Sequence, residues 1–471
     1  MDTFMHIMWA LIAFTMSITI YTTAYSIIGF ILPPKKFKKT KNKYKYAFLI
    51  AARNEEPTIG KLVASIKAQD YPSELISIFV LAHNCTDNTA KVALEAGATV
   101  YEWNNKKKAM KGYALDTLLK QIKQDYATQD QPNGILNFDG YFIFDADNVA
   151  STNFTTEMNK AFNNPKYDAF LSYSVPKNMN NVFSAFVGIG HASIMMHSRR
   201  PKSHLQLAPN IAGPGYLVRS HTLMNGYHCY TRSDDFEMTL LLASRGHRIT
   251  YNEAATFYEE HPITLRIMLR QRMAWAKGTV NAYLKWFPHA LWGIIAPYHK
   301  RPKGMEKPKR NFFQKCENEI MKRVSSAEIL VSYFPIWVIS TTAGFIYPIV
   351  FIIINAASGG YYDARYMLFS LLVLYGTIYL SHVIRFGVTI IREHRKIKVH
   401  PLKILSFFIF LPLFEVIVAY FSVFAVVMPA KTKWKPIPHT IEKTIDDCEK
   451  EKTLAQYIYD KDSNEKNSNN N

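Results

Sequence analysis

Residues 5–32 contain no Asp, Glu, Lys or Arg, a stretch long enough to cross a bilayer with some tilt. No positive n-region precedes it and its apolar run is too long for a signal peptide, so it reads as an uncleaved anchor. Cysteine is scarce. Cys85, Cys229, Cys316 and Cys448 show no C-x-x-C pairing, and neither a zinc site nor a disulfide framework is indicated. No G-x-G-x-x-G follows the first apolar strand, which disfavours a plain dinucleotide fold. Acidic residues are outnumbered, 37 against 56 basic ones. The formal net charge of +19 suits a polyanion, an anionic membrane surface or a phosphorylated substrate.

Charge is missing again near the end. Residues 329–358 are uncharged, 366–391 are interrupted only by Arg385, and 404–428 only by Glu415. Seven lysines between Lys35 and Lys45 mark the flank of the first span as cytoplasmic, and the basic loop REHRKIKVHPLK (392–403) reads likewise. Four crossings result, one N-terminal and three C-terminal. Strict alternation then puts the tail after Met428 outside, whereas its sequence KTKWKPIPHT looks cytoplasmic, and the two readings conflict. Arg385 and Glu415 inside predicted spans read as a pair or as the lining of a polar path, with snorkelling of Arg385 as the other reading.

The middle of the chain alternates strand and helix. YAFLIAARNEE (46–56), LISIFVLAHN (75–84), ATVYEW (98–103) and YFIFD (141–145) read as strands. PTIGKLVASIKAQD (57–70) reads as a helix with Pro57 at its start, and TDNTAKVALEAG (86–97) as one capped by Thr86 or Asp87 and stopped by Gly97. This order predicts an α/β domain with a mostly parallel sheet. Ligands of such sheets bind outside the carboxyl ends of the strands, where Arg53, Asn54, Glu55, Asp87, Asp145 and Asp147 stand. In an extended backbone Asp145 and Asp147 share a face, about 6–7 Å apart along the chain. Two carboxylates so close call for a metal ion or a basic side chain between them.

The ordered set AARNEE (51–56), Asp87, KGYAL (111–115), DAD (145–147), SDD (233–235) and QRMAW (271–275) resembles the membrane-bound family-2 glycosyltransferases. That group contains the hyaluronan, cellulose, chitin and poly-N-acetylglucosamine synthases, and the resemblance covers about residues 46–280. It implies a GT-A-like, Rossmann-like domain at 44–285. Around it lie a transmembrane anchor at 1–33, an amphipathic interfacial segment at 286–326, transmembrane helices at 327–430 and a polar, largely disordered tail at 431–471. It also implies roles. Arg53, Glu55 and Asp87 would hold the uracil and ribose of a UDP-sugar, with Lys111 near the donor. Asp145 and Asp147 would form the D-x-D pair, binding Mg²⁺ or Mn²⁺ on the diphosphate. Asp235 would be the catalytic base. Gln271, Arg272 and Trp275 would close over donor and acceptor end, with Gly213 and Gly215 in a glycine loop near the acceptor.

The chemistry asks for the same groups. A hard cation held by oxygen ligands neutralises a departing diphosphate, and a carboxylate takes the proton of the attacking hydroxyl. The expected activity is inverting transfer from UDP-N-acetylglucosamine or UDP-glucose, extending a β-linked polysaccharide. Transfer of one sugar to a lipid acceptor and non-enzymatic nucleotide-sugar binding are the alternatives. The expected location is the plasma membrane, multi-pass, with a cytoplasmic catalytic domain. Four spans are few for a pore, so a partner subunit or homo-oligomer is expected. Nucleic acid is not, because a bilayer-anchored domain with acidic strand ends does not suit it. Ala274 departs from the pattern, where an arginine would meet the pyrophosphate, and leaves Arg270, Arg272 or Lys277 as substitutes. Simpler roles stand beside these: Asp87 as a helix cap, Asp145 and Asp147 as surface ion-pairing residues, Trp275 as core, Gly213 and Gly215 as a turn, and His191 and His261 as structural residues.

Overall fold

The computed structural model describes residues 2–179, 181–295, 312–332, 336–357, 359, 364–394, 396, 400–427 and 443–450. Its sheet is built from β1 (Tyr46–Ala52), β2 (Ile76–His83), β3 (Thr99–Trp103), β4 (Gly140–Asp145), β5 (Val149–Ala150), β6 (Ala169–Pro176), β7 (Tyr216–Arg219) and β8 (Ile249–Glu259). The strand order is β3-β2-β1-β4-β7-β6-β8-β5. Strands β3, β2, β1 and β4 run parallel, as the alternation predicts. Beyond β4 the sheet is mixed rather than mostly parallel. β7 is antiparallel to both β4 and β6, β8 is parallel to β6, and β5 is antiparallel to β8.

Period-two alternation sorts the sheet residues into two cores. Tyr46, Phe48, Ile50, Phe142 and Phe144 face one side. Ala47, Leu49, Tyr141 and Ile143 face the other. Asp145 ends β4 in the register of Tyr141 and Ile143, and so belongs to the second side.

Helix α1 (Asp2–Ile31) precedes the sheet. α2 (Ile59–Lys67) buries Ile59, Leu62, Val63 and Ile66, the i, i+3, i+4, i+7 stripe of a helix laid on the sheet. α3 (Thr89–Glu95) follows β2, α4 (Lys111–Asp125) follows β3, and α5 (Phe154–Phe162) follows β5. α2 and α3 are shorter than the helices expected at 57–70 and 86–97. Next come α6 (Val182–Ile194), opened by a capping box between Asn181 and Ser184, α7 (Arg200–His204) and α8 (Asp234–Ser244).

A single helix, α9 (Leu265–Ile295), runs across the expected boundary at 285/286. α10 (Phe312–Ser332), α11 (Ile336–Ala357), α12 (Ala364–Glu393) and α13 (Pro401–Val427) complete the chain's long helices. Among the described residues two helices are long and apolar enough to cross a membrane, Trp9–Ile31 and Arg365–Glu393. The halves of α13, Pro401–Phe414 and Val416–Val427, are bent by 41° and qualify only as one span; Tyr347–Ala357 is a shorter apolar segment. Exposed Ile20, Ile27, Leu368, Phe369, Leu372, Ile409 and Phe410 make the outer surfaces of α1, α12 and α13 apolar, as a lipid-facing surface requires.

Arg385 lies 4.5 Å from the centroid of the Phe386 ring. The side chain of Glu415, its expected partner, lies outside the described residues, as do 296–311, most of the tail and the loop residues 397–399.

Candidate active site

The loop after β4 is where expectation and structure part. The strand stops at Asp145, and Ala146 and Asp147 form a turn closed by the Asn148 N–H on the Asp145 carbonyl at 3.1 Å. Asp145 and Asp147 are therefore not two successive same-face residues of an extended strand, because the turn rotates the backbone between them. Asn148 secures the bend, its Oδ1 accepting from Asp145 N–H at 3.0 Å and its Nδ2 donating to Asp147 Oδ1 at 3.3 Å. The buried Lys177 ammonium donates to the Asp147 carbonyl.

The cation that the carboxylates demand is Lys111, first residue of α4, whose ammonium is bonded to Asp145 Oδ1. Burial pulls its pKa down, but the fields of Asp145, Asp234 and Asp235 prevail and hold it above the ordinary value. Asp234 and Asp235 open α8. Burial, with repulsion from Asp235 and Asp145, raises Asp234 to about 6 against the pull of Lys111. Burial likewise raises Asp235, against the stabilising Gly213 and Phe236 N–H groups and Lys111.

The two aspartates have different partners. Asp234 Oδ2 accepts from the Tyr227 hydroxyl at 2.8 Å, and Tyr227 lies 2.7 Å from the Tyr216 hydroxyl inside the core. Asp235 Oδ1 accepts from Phe236 N–H at 2.7 Å, and its Oδ2 accepts from Gly213 N–H.

The Gly213 loop reaches Asp235 because its base is pinned. The buried Arg199 guanidinium donates to the carbonyls of Ser172, Asn210 and Ala212. Gly215 N–H donates to the Ile143 carbonyl at 2.8 Å, which lays the loop across the end of β4. Gly215 has φ +74° and a Cβ there would come within 2.5 Å of the Phe257 ring, so the position requires glycine.

Arg53, Glu55 and Asp87 gather at the ends of β1 and β2. Asn54, at φ +57°, accepts from Thr86 N–H at 2.8 Å and joins the two loops. Glu55 Oε2 accepts from the Thr58 hydroxyl at 2.9 Å. Asp87 accepts from Thr89 N–H at 3.1 Å and Glu56 N–H at 3.2 Å in a local turn before α3, whose N-cap is Asn88 rather than the expected Thr86 or Asp87. Burial lowers the pKa of Arg53.

α9 carries Gln271, Arg272 and Trp275 over the start of α8. A Cβ on Gly278 would lie 2.5 Å from Ser233 Oγ and 2.7 Å from Ser233 N, so the two backbones touch there. Ser233 Oγ donates to the Trp275 carbonyl at 3.2 Å. Trp275 is exposed rather than core, with the Arg272 guanidinium 5.2 Å from its centroid. Ala274 sits half-buried between them. Lys111 is bonded to the Asp145 carboxylate of the D-x-D loop, whereas the Arg272 guanidinium leans over Trp275.

Sequence reasoning missed Asp234, Gly278 and Glu237. Glu237 is wholly buried and accepts from Thr231 N–H at 2.8 Å, Trp286 Nε1 at 3.1 Å and Lys285, bolting α8 to α9. The middle acid of the S-D-D triplet was a visible signal for Asp234. Nothing local marks the other two.

The family described as Glycosyltransferase like family 2 matches residues 44–278. The poly-beta-1,6-N-acetyl-D-glucosamine synthase of Staphylococcus epidermidis is 24% identical over 300 residues, 60% of this chain and 68% of that one. The beta-monoglucosyldiacylglycerol synthase of Nostoc sp. is 24% identical over 254 residues, 51% of this chain and 50% of that one. Among solved structures, a mannosyltransferase from Pyrobaculum calidifontis in complex with GDP-Man and Mn²⁺ aligns with 79% of this chain and 99% of that chain. The identity there is 15% and the TM-score 0.44.

Proposed function

This chain belongs to glycosyltransferase family 2, and from that we propose that it is an inverting, metal-dependent hexosyltransferase that takes UDP-N-acetylglucosamine or UDP-glucose. It extends a β-linked extracellular or capsular polysaccharide from the cytoplasmic face of the plasma membrane. The observation that carries this reading is the meeting of Lys111, Asp145, Asp234 and Asp235 from three distant chain segments, with the Gly213 N–H on Asp235. The similarity to a poly-N-acetylglucosamine synthase supports polymer extension.

Asp145 and Asp147 are the residues that would hold Mg²⁺ or Mn²⁺. Three carboxylates, Asp145, Asp234 and Asp235, face the one Lys111 ammonium and leave excess negative charge, and an all-oxygen donor set suits a hard cation. Such an ion supplies neutralisation of the leaving diphosphate. Asp235 takes the proton of the acceptor hydroxyl as that oxygen bonds to the anomeric carbon and the bond to UDP breaks. Displacement from the opposite face converts an α-linked donor into a β-linked product. Arg53, Glu55 and Asp87 receive the uridine, Lys111 stands where phosphate charge accumulates, and Trp275 with Gln271 and Arg272 covers the acceptor end against water.

The test is incubation of membranes containing the protein with labelled UDP-sugars and Mg²⁺ or Mn²⁺, followed by product analysis. A ladder of β-linked products from one donor, lost on chelation, is expected. Asp235→Asn should abolish turnover and leave UDP binding by calorimetry intact, and unchanged turnover removes the assignment. The similarity to a glucosyldiacylglycerol synthase favours a second reading, one sugar added to a lipid, which a single labelled lipid product would establish.

A further inference from the structure

Three potential metal ligands lie away from the carboxylates of the catalytic loop. His191 comes from α6, Glu259 ends β8, and His261 follows two residues later. His191 Nδ1 is 2.6 Å from Glu259 Oε1, and His261 Nε2 is 3.8 Å from the same oxygen. One ligand atom from each residue lies within 4.8 Å of the other two. We propose that His191, Glu259 and His261 bind a transition-metal ion of the zinc class.

The second observation is His261 itself. It is 2% exposed, and its Nε2 is buried without a hydrogen-bond partner. The residue is held firmly, since Asn178 Nδ2 donates to its carbonyl and its N–H donates to Asn178 Oδ1, both at 2.8 Å. A buried imidazole nitrogen so fixed, aimed at a carboxylate it does not reach, is costly unless something else fills the gap. Bonds of about 2.0–2.2 Å to nitrogen and oxygen put tetrahedral ligand atoms roughly 3.3 Å apart, a separation that small ring rotations here would produce. Two imidazoles and one carboxylate suit zinc and its neighbours, whereas the all-oxygen set at Asp145 and Asp147 suits magnesium or manganese. Cysteine spacing gave no sign of this site because its ligands are not cysteines.

The metal would join elements that otherwise meet through packing. α6 rests on the membrane-side helices through Phe186, Ile189 and Ala192 against Phe386, Phe407 and Leu411. Glu259 and His261 stand just before α9. His191 lies 6.1 Å from the Trp275 ring, and a Cβ at Gly190 would be 3.5 Å from Arg272 Nη2. The ion would thus fix the acceptor-covering face of α9 against α6, a positioning role rather than a catalytic one. The other cluster, Asp168 with His221 and His247, is already closed by contacts of 3.0 and 3.2 Å to both carboxylate oxygens.

The experiment uses the full-length protein purified in detergent without a polyhistidine tag and equilibrated with zinc. Metal analysis should give about one zinc per chain, and X-ray absorption at the zinc edge should show two imidazole nitrogens in the shell. His191→Ala and His261→Ala should each weaken zinc binding by more than the roughly 10–100-fold that loss of an outer-shell partner costs. Asp147→Asn should retain zinc. A cooperative thermal unfolding transition in detergent, matching that of the unsubstituted protein, reports whether each variant is folded. An absence of stoichiometric zinc, an all-oxygen shell, or zinc undiminished in the folded histidine variants overturns the site. If a histidine variant unfolds, the absorption spectrum of the native protein decides. None of these readouts depends on glycosyl transfer, so a failure here leaves the proposed activity standing.

Discussion

Asp234 and Asp235 are neighbours in sequence with different fates, one tied to the Tyr227 hydroxyl in the core and one to backbone N–H groups at the site. Burial lifts Asp234 to about 6, well above an ordinary aspartate. The folded state then holds its proton more tightly than the unfolded chain. The resulting stability is fully present below the unfolded pKa and is lost as pH rises through about 6. A base must be unprotonated, and burial raises Asp235, so kcat/KM should fall on the acid side at a pH above that of an ordinary aspartate. Asp234→Asn removes the neighbouring negative charge and should shift that limb to lower pH, which a rate profile would measure. Gly278 is the other decisive single residue. Gly278→Ala forces Ser233 and α9 apart, because the nearest atoms include backbone. Turnover should fall on the order of tenfold to a hundredfold, with UDP affinity less affected.

At the scale of elements, α9 does two jobs along its length. Its start carries Gln271 to Trp275. Its end buries Tyr283, Trp286, Ala290 and Gly293 while exposing Leu284, Phe287, Leu291, Trp292 and Ile295. An apolar face turned outward is what an interfacial helix presents to lipid. Fluorescence of a variant retaining Trp292 alone among the tryptophans should be quenched by brominated lipid; no quenching would remove the interfacial reading. The junction between domain and membrane helices is ionic. Arg200, 2% exposed, bonds Glu253 at 2.7 Å and Glu393 at 2.6 Å, and donates to the Gly29 carbonyl at 3.0 Å. Arg200→Met leaves the two buried carboxylates facing Lys396, at 2.9 and 3.2 Å. A loss of about 3–5 kcal/mol is expected, read from thermal unfolding in detergent.

For the whole molecule the question is the side on which the chain's end lies. Residues 443–450 pack on the catalytic domain, with Lys443 donating to the Lys177 carbonyl at 2.9 Å and Cys448 buried against Val149 and Tyr258. That contact puts residues 443–450 beside the loop carrying Asp147, against strict alternation of three C-terminal crossings. An even number of crossings between α10 and Thr444 satisfies it, such as Arg365–Glu393 together with bent α13 counted as one span. A reporter fused after Asn471 should therefore lie on the same side as one inserted in the catalytic domain, and opposite sides would refute the docking.

What the chain determined by itself was local and periodic. The apolar alternation of 46–52, 76–83, 99–103 and 140–145 fixed the parallel half of the sheet and the edge at which Arg53, Asp87 and Asp145 stand. Runs with no charge or only Arg385 marked α1 and α12, because a bilayer selects for composition. Tertiary structure decided the rest. It turned the backbone between Asp145 and Asp147, set β7 antiparallel in the sheet's centre, and brought Lys111 and Asp235 to one point. It also pressed Gly278 onto Ser233 and returned residues 443–450 to the domain. Each of these rests on contacts between residues far apart in the chain, whose geometry is set by packing and burial and leaves no period in the sequence.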